Sequence, residues 1–171
     1  PKPTVEIEDD DALGLNTTDH FAYIVGYGNG EVRPQNNITR AEVATIFFRL
    51  LTDDVRDENL TKTNRYSDVA ATSWYNTAVS THSSMGIITG YPDGTFRPNE
   101  AVTRAQAAVM LYGYAAFTGA DVTARADLSA YSDAGQIPAW AMDAMQWANA
   151  RQLIIGRDSA HLAPTAATTR A

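Results

Sequence analysis

The sequence contains no cysteine, which excludes disulfide frameworks, thiolate metal sites and cysteine nucleophiles. Long apolar runs are also absent, since the longest are a few residues and a membrane-spanning helix needs about 20. Positive charge is scarce: 13 Lys and Arg stand against 20 Asp and Glu, for a net charge of −7. This balance argues against general nucleic-acid binding, which needs a basic surface. Any anion must therefore be bound by local arginines.

The length of 171 residues and the 44% apolar content are sufficient for one folded unit with a core. Much of the acidity lies in "EIEDDD", and we interpret residues 1–19 as a solvated acidic linker. A calcium site formed by Asp9, Asp10 and Asp11 is a weaker alternative, because consecutive carboxylates lack the spaced loop of a dedicated site. No charged and apolar signal segment occurs at the start, which fits either a protein that is not exported or a mature fragment.

Two segments of the chain recur. "GYGNGEVRPQNNITRAEVA", "GYPDGTFRPNEAVTRAQAA" and "GRDSAHLAPTAATTRA" begin at Gly26, Gly90 and Gly156. "YSDVAATSWYNTAVSTHSSMGIITG" and "YSDAGQIPAWAMDAMQWANARQLIIG" begin at Tyr66 and Tyr131. Such self-similarity predicts repeats that pack together. The predicted repeats cover residues 20–65, 66–130 and 131–171. We expect the first to lack its first helix and the third to lack its second.

Each full repeat is predicted to fold as helix, turn and helix, so the fold class is all-α. Apolar spacing predicts first helices that carry Trp74 and Trp140 and end near Gly86 and Gln152. Second helices are amphipathic and start at a capping box, Thr-x-x-Glu or Thr-x-x-Gln. In the first repeat their apolar face comprises Val43, Ile46, Phe47, Leu50 and Leu51. Polar residues 52–65 and 118–130 are predicted connectors, and the second helix of one repeat should pair with the first helix of the next.

An arginine recurs in each "TRA" triplet, as Arg40, Arg104 and Arg170. A cation at a helix N-terminus is unfavourable by ~0.3–1 kcal/mol, so this recurrence requires an explanation. Free N–H groups, the helix dipole and a guanidinium together suit a carboxylate or phosphate. Two alternatives remain open: an internal carboxylate such as Asp68 or Asp93, or an external anion.

The tryptophan-bearing segment, the "GYPDGTFRP" turn and the "ITRAE" helix start together resemble the S-layer homology domain over roughly residues 20–171. The resemblance implies a pseudo-threefold helical bundle without a cofactor. It also implies non-covalent anchoring of an extracellular surface protein to pyruvylated secondary cell-wall polysaccharide, with further domains attached. In this family the TRA arginine receives the carboxylate of the glycan's pyruvate ketal.

The resemblance implies a set of ligand-binding residues. They are the carboxylate clamps Arg40, Arg104 and Arg170, the tryptophans Trp74 and Trp140, the glycines Gly90 and Gly156, and the acids Asp68 and Asp133. The tryptophans would contact sugar, although a core position is the more frequent alternative. The glycines would let the backbone approach the glycan, and the acids have turn capping as their alternative role.

Departures from the family pattern limit the number of sites. Gln106 replaces the usual Glu and removes a negative charge that we expect beside Arg104. The third repeat ends after Arg170, which we expect to be disordered or occupied in packing. At most two competent sites are therefore predicted, at Arg40 and Arg104. We expect Arg104→Ala to weaken glycan binding while changing stability little.

Enzymatic function is the first rival interpretation, and the sequence does not support it. There is no GxSxG elbow and no phosphate loop with its lysine. His20, His82 and His161 share no metal-ligand spacing and are predicted to be surface or hydrogen-bonded histidines. The second rival is a structural protein–protein interaction module that binds no glycan.

Overall fold

The computed structural model describes residues 26–171, so the proposed linker 1–19, the calcium alternative and His20 lie outside the described residues. The described chain contains five α-helices and only isolated β-bridges, which confirms the all-α class. None of these helices is both long and apolar enough to cross a membrane. The helices are α1 (Arg40–Leu50), α2 (Asp53–Asn59), α3 (Asn76–Ser84), α4 (Arg104–Phe117) and α5 (Met142–Ala150).

Both predicted capping boxes are present and fix where α1 and α4 begin. The Thr39 hydroxyl accepts from the Glu42 N–H at 3.3 Å, while the Glu42 carboxylate accepts from the Thr39 N–H at 2.8 Å. Thr103 and Gln106 make the same pair of bonds at 3.2 and 3.0 Å. Each box satisfies two N–H groups that a helix start leaves without partners. The TRA arginine is consequently the first residue of each helix.

The first helices of the repeats end close to the predicted positions. α3 and α5 are each followed by a left-handed residue, Gly86 with φ 74° and Gln152 with φ 60°. After α3, the Ile87 N–H donates to the His82 carbonyl at 3.0 Å, which closes a Schellman-type end. The prediction of their starts was less accurate, because Trp74 lies two residues before α3.

The connector 52–65 contains a helix that the sequence analysis did not predict. α2 starts after Thr52, whose hydroxyl accepts from the Val55 N–H at 3.4 Å. Asp53 and Asp54 in its first turn and Arg56 in its last turn match the sign of the helix dipole. No residue of α2 is buried, so local capping and charge, and not an apolar pattern, account for this helix.

The helices pair across repeat boundaries as predicted. α1 packs against α3, and α4 packs against α5. Phe47, Val79 and Phe96 belong to one core cluster, and Met145 and Leu162 belong to a second. The second helix of each repeat therefore shares a core with the first helix of the next.

His82 differs from the prediction of a surface or hydrogen-bonded histidine. It is fully buried on α3, where its ring meets those of Phe48 at 6.0 Å and Tyr114 at 6.4 Å between centroids. Neither ring nitrogen has a hydrogen-bond partner among the described residues, although the Ala44 carbonyl lies close enough to oppose part of the pKa shift. Burial lowers the pKa of His82 to about 4. His161 is exposed and bonds to Asp158.

Backbone hydrogen bonds join the three segments that precede the TRA triplets. The Ile38 N–H donates to the Thr168 carbonyl at 2.9 Å, and the Thr168 N–H donates to the Val102 carbonyl at 2.8 Å. The Val102 N–H donates back to the Ile38 carbonyl at 3.0 Å. These three bonds form a closed ring that connects all three repeats.

The backbone N–H group of each TRA arginine also donates a hydrogen bond inside the protein. Its acceptor is a carbonyl of another repeat at 2.9–3.0 Å, in the pairs Arg40 to Glu100, Arg104 to Ala166 and Arg170 to Asn36. The expectation that these backbone N–H groups are free for an anion is therefore wrong. An anion at these positions must therefore be bound without the backbone N–H of the arginine.

Candidate functional site

Arg40 at the start of α1 is the most buried of the candidate clamps, with 5% of its surface exposed. Its Nε donates to the Phe96 carbonyl at 2.7 Å and its Nη2 to the Thr89 carbonyl at 2.9 Å. The guanidinium also lies 4.5 Å from the Phe96 ring centroid and 5.0 Å from that of Tyr91. Burial lowers the pKa of Arg40, which is the expected effect of removing a cation from water.

Neither internal carboxylate considered from the sequence is the partner of Arg40. Asp93 accepts from the Thr95 hydroxyl at 2.6 Å and from Arg97 at 3.0 Å, and the Thr95 hydroxyl contributes most to lowering its pKa to about 2. Asp68 is occupied by backbone N–H groups. Within residues 26–171, Arg40 forms no salt bridge at all. Its inward partners are backbone carbonyls, which orient the guanidinium without neutralising its charge.

A cavity of about 580 Å³ lies directly beside Arg40. It is lined by the loop 86–92 of the second repeat, by α4 and by Trp140 of the third repeat. Most of the lining is apolar, with Ile87, Val109 and Met110 facing a small number of polar groups. This combination of an apolar surface and one fixed charged group is typical of a ligand site.

Both candidate tryptophans are exposed, which makes the core alternative wrong. Trp140 has 61% of its surface exposed and lines the cavity, whereas Trp74 is 67% exposed and its ring contacts Tyr75. The buried tryptophan is Trp147, whose indole N–H donates to the Asp121 carbonyl at 3.2 Å. Apolar spacing along α5 indicated a buried face correctly, but Trp140 precedes this helix and lies outside that face.

Arg104 repeats the geometry of Arg40 one repeat later. Its Nε donates to the Leu162 carbonyl at 2.9 Å and its Nη2 to the Ile155 carbonyl. Burial contributes most to lowering its pKa, and the neighbouring cation Arg157 lowers it further. Because these bonds link the second repeat to the third, the expectation that Arg104→Ala leaves stability unchanged needs revision. We expect this change to weaken the repeat interface as well.

Arg170 is engaged within the protein, as one of the two expectations for it stated. It is buried, and its Nε donates to the Val32 carbonyl at 3.0 Å. Its Nη1 forms a salt bridge with the Glu42 carboxylate, and its guanidinium lies 5.0 Å from the Tyr27 ring centroid. Unlike Arg40, Arg170 therefore has an internal anionic partner.

Gly90 and Gly156 are required by contacts inside the protein. A Cβ at Gly90 would lie 2.3 Å from the Tyr66 ring and 2.5 Å from the Thr95 carbonyl oxygen. A Cβ at Gly156 would lie 2.7 Å from the equivalent ring, that of Tyr131. Gly90 also lines the cavity. Packing of a tyrosine against bare backbone thus explains both glycines without a ligand.

Asp68 and Asp133 hold the turn that follows each glycine loop. The Asp68 carboxylate accepts from the N–H groups of Phe96 and Arg97, both at 2.7 Å. Asp133 makes the same contacts in the third repeat, with Leu162 at 2.8 Å and Ala163 at 2.7 Å. The Leu162 N–H is the largest cause of the lowered pKa of Asp133. Both acids do cap a turn, but it is not the turn that directly follows them, as expected, since the N–H groups they accept from lie 28 and 29 residues further along the chain.

Two cavity residues were not assigned to the site from the sequence. The ring of Tyr91 lies between Arg40 and Arg97, whose guanidinium is 3.9 Å from its centroid. Gln106 was expected beside Arg104, but its side chain lines the cavity with Arg40 and its Nε2 donates to the Tyr91 hydroxyl at 2.7 Å. The recurrence of tyrosine after the glycine in two repeats was an available signal for Tyr91. Nothing in the sequence indicated which arginine Gln106 faces.

The sequence profile of the S-layer homology domain matches residues 22–44, 65–108 and 130–171, which together make up more than half of the chain. The chain belongs to the S-layer homology domain family. The matched segments contain Arg40, Arg104 and Arg170 together with both candidate tryptophans.

Relatives of this S-layer homology chain carry names of surface and anchoring proteins. Cell surface glycoprotein 1 of Acetivibrio thermocellus is 43% identical over 101 residues, 59% of this chain and 4% of the relative. The Cellulosome-anchoring protein of the same organism is 34% identical over 113 residues, 66% of this chain and 25% of the relative. The Surface-layer 125 kDa protein of Lysinibacillus sphaericus is 33% identical over 150 residues, 86% of this chain and 12% of the relative. The chain thus spans at most a quarter of each relative.

Proposed function

We propose that this S-layer homology region anchors its protein non-covalently to a bacterial cell wall by binding pyruvylated secondary cell-wall polysaccharide. The observation that carries the proposal is Arg40, a buried cation that forms no salt bridge within residues 26–171 and lines a cavity of about 580 Å³. The names of the relatives support an anchoring role at the cell surface. We accordingly propose an extracellular location, with further domains in the full-length protein.

The arrangement of Arg40 suits a carboxylate ligand. Its Nε and Nη2 are fixed on two carbonyl oxygens, whereas its Nη1 has no hydrogen-bond partner in the described part of the chain. A guanidinium fixed in this way loses little freedom when it binds, which favours affinity. A carboxylate at Nη1 would form a charge-assisted hydrogen bond in a partly desolvated place. The pyruvate ketal supplies such a carboxylate on a sugar.

The rest of the cavity suits the sugar that carries this carboxylate. Trp140 offers an exposed aromatic face, and Ile87 and Met110 add an apolar floor. Tyr91 and Gln106 supply polar atoms at the same opening. A sugar ring presents both C–H surface and hydroxyl groups, so it matches a mixed lining of this kind.

The other candidate residues differ in how directly they would contribute to ligand binding in this proposal. Arg104, with Arg157 close to it, forms a second anion site in the third repeat. Gly90, Gly156, Asp68 and Asp133 shape the loops that carry the acceptors of the two arginines, and Trp74 offers a further exposed aromatic face. Arg170 contributes least, because Glu42 already neutralises it.

We also propose that the repeats are arranged around a pseudo-threefold axis. The ring of bonds among Ile38, Val102 and Thr168 supports this arrangement, because each repeat donates once and accepts once. The Nε contacts of the three arginines support it too, since each reaches the corresponding carbonyl of another repeat. These pairs are Arg40 with Phe96, Arg104 with Leu162 and Arg170 with Val32.

Co-sedimentation with purified wall polysaccharide tests the function. We expect saturable binding to native polysaccharide and loss of binding after mild acid has removed the pyruvate ketals. Equal binding to both preparations would refute carboxylate recognition. Binding to surface proteins but not to polysaccharide would favour the alternative function of a protein–protein interaction module.

A further inference from the structure

Arg170 and Arg40 differ in whether the protein itself neutralises them. Glu42, the third residue of α1, uses one carboxylate oxygen for the capping box with Thr39 and the other for Arg170. The pair is largely removed from water, with side-chain exposures of 4% for Arg170 and 18% for Glu42. The salt bridge crosses a repeat boundary, because Arg170 lies in the third repeat and Glu42 in the first.

The residue equivalent to Glu42 is Gln106, the third residue of α4, which lines the same cavity as Arg40. Its Oε1 accepts from the Thr103 N–H at 3.0 Å, as the capping box requires. Its other terminal atom is an amide nitrogen, which donates to the Tyr91 hydroxyl at 2.7 Å. An amide N–H₂ group is only a donor, so it cannot accept a hydrogen bond from a guanidinium. The atom that would neutralise the arginine is therefore replaced by one that cannot.

We propose that Gln106 is a specificity-determining residue that keeps the Arg40 cavity open to an external carboxylate, whereas a glutamate at this position closes the equivalent place at Arg170. The inference rests on the proposed carboxylate recognition and adds the residue that decides which arginine performs it. Glu100 favours the charged form of Arg40 from a distance but forms no salt bridge with it, so it does not take the place of the missing carboxylate. It accepts from the Tyr91 hydroxyl at 3.1 Å and lies 3.8 Å from Arg97.

An internal carboxylate would compete strongly with a ligand. It is tethered beside the guanidinium, so its effective concentration exceeds that of a dissolved glycan end group. The ligand would also have to separate an ion pair that is largely excluded from water, which is costly because it leaves an unpaired charge. Helix formation does not depend on the choice, since Glu42 and Gln106 both complete capping boxes. The difference between Glu42 and Gln106 therefore affects ligand binding and not helix formation.

Gln106→Glu tests the inference with little disturbance of the fold. Titration calorimetry with a pyruvylated wall fragment should show one site, that of Arg40, at least tenfold weaker than in wild type while binding at Arg104 persists, with an unchanged melting temperature or a higher one. Gln35→Glu, at an exposed position outside the cavity, makes the same charge change and should bind as wild type does. If Gln106→Glu keeps both the stoichiometry and, within twofold, the affinities of wild type, the inference is wrong.

A second readout needs no glycan and separates this inference from the proposed function. The carboxylate introduced by Gln106→Glu should show, by NMR titration, a pKa below the ordinary glutamate value of about 4.3, because Arg40 stabilises its charged form. Adding Arg40→Gln should return this pKa towards the ordinary value. A pKa that ignores Arg40 would overturn the inference even if the glycan binds. Failure of wild type to bind any pyruvylated glycan, with the pKa lowered as expected, would overturn the proposed function alone.

Discussion

The three guanidinium nitrogens of Arg40 have different roles. Nε and Nη2 attach the start of α1 to the Phe96 and Thr89 carbonyls, and Nη1 has no hydrogen-bond partner within residues 26–171. Arg40 forms no salt bridge within residues 26–171, so the aromatic faces of Tyr91 and Phe96 and the more distant charge of Glu100 provide part of the compensation for burying this cation. An incoming carboxylate would provide the rest, which gives the site its preference for an anion.

Gly90→Ala tests whether the glycine loop is shaped by internal packing. The added Cβ would collide with the Tyr66 ring and the Thr95 carbonyl, so we expect a loss of ~1–3 kcal/mol in the free energy of unfolding. Gly28→Ala is the matched control, because its Cβ would meet nothing within 4 Å and should cost little. Denaturant titration of both variants measures the difference. Equal stability of the two would show that the contacts around Gly90 are not restrictive.

For single residues, the sequence predicted which positions belong to the candidate site, but it did not predict the groups that these residues contact. The recurrence of Arg40 and Arg104 was evident, but their acceptors are backbone carbonyls, and any residue type can supply a carbonyl. Gln106 was placed beside the wrong arginine for a related reason. Its side chain reaches into the preceding repeat's arginine site, and that crossing depends on how the repeats assemble.

Among the helices, periodicity predicted the long amphipathic ones and failed for the short polar one. α1 and α4 have both a capping box and an apolar face, and two agreeing local signals fixed their position. α2 has no buried residue and therefore no apolar period to detect. Trp74 and Trp140 were included in the first helices because they are apolar, but they precede α3 and α5 and are exposed.

The interface between α1 and α3 contains a titratable group that should make stability depend on pH. His82 is buried against Phe48 and Tyr114, with a pKa of about 4 in the folded state and an ordinary value of 6.5. Because the unfolded chain binds the proton more readily between these values, stability should fall as pH falls from about 6.5 to 4. A shift of this size corresponds to about 3 kcal/mol.

His82→Leu should remove this part of the pH dependence. We expect the difference in unfolding free energy between pH 7 and pH 4.5 to shrink relative to wild type. His161→Leu removes an exposed histidine and controls for the loss of an imidazole as such. Chemical denaturation at the two pH values makes the comparison. An identical pH dependence in wild type and His82→Leu would contradict the role assigned to the buried ring.

For the molecule as a whole, the cavity exists only when the repeats assemble. Arg40 comes from the first repeat, the loop 86–92 from the second and Trp140 from the third. The backbone ring through Ile38, Val102 and Thr168 holds these contributions in register. Repeat number and helix type were predictable from internal similarity, whereas the shared cavity was not, because its parts are separated by as many as 100 residues.

The most direct test of the account is a calorimetric titration of a pyruvylated wall fragment into wild type, Arg40→Gln and Arg56→Gln. Arg56 lies on α2 outside the cavity, so its variant controls for the loss of one charge. We predict at most two sites in wild type, unchanged affinity in Arg56→Gln and, in Arg40→Gln, a loss of ~1.5–3 kcal/mol at one site, the scale of a hydrogen bond to a charged group. The depyruvylated fragment should not bind to wild type. Unchanged affinity in a folded Arg40→Gln variant, or equal binding of the depyruvylated fragment, would contradict the account.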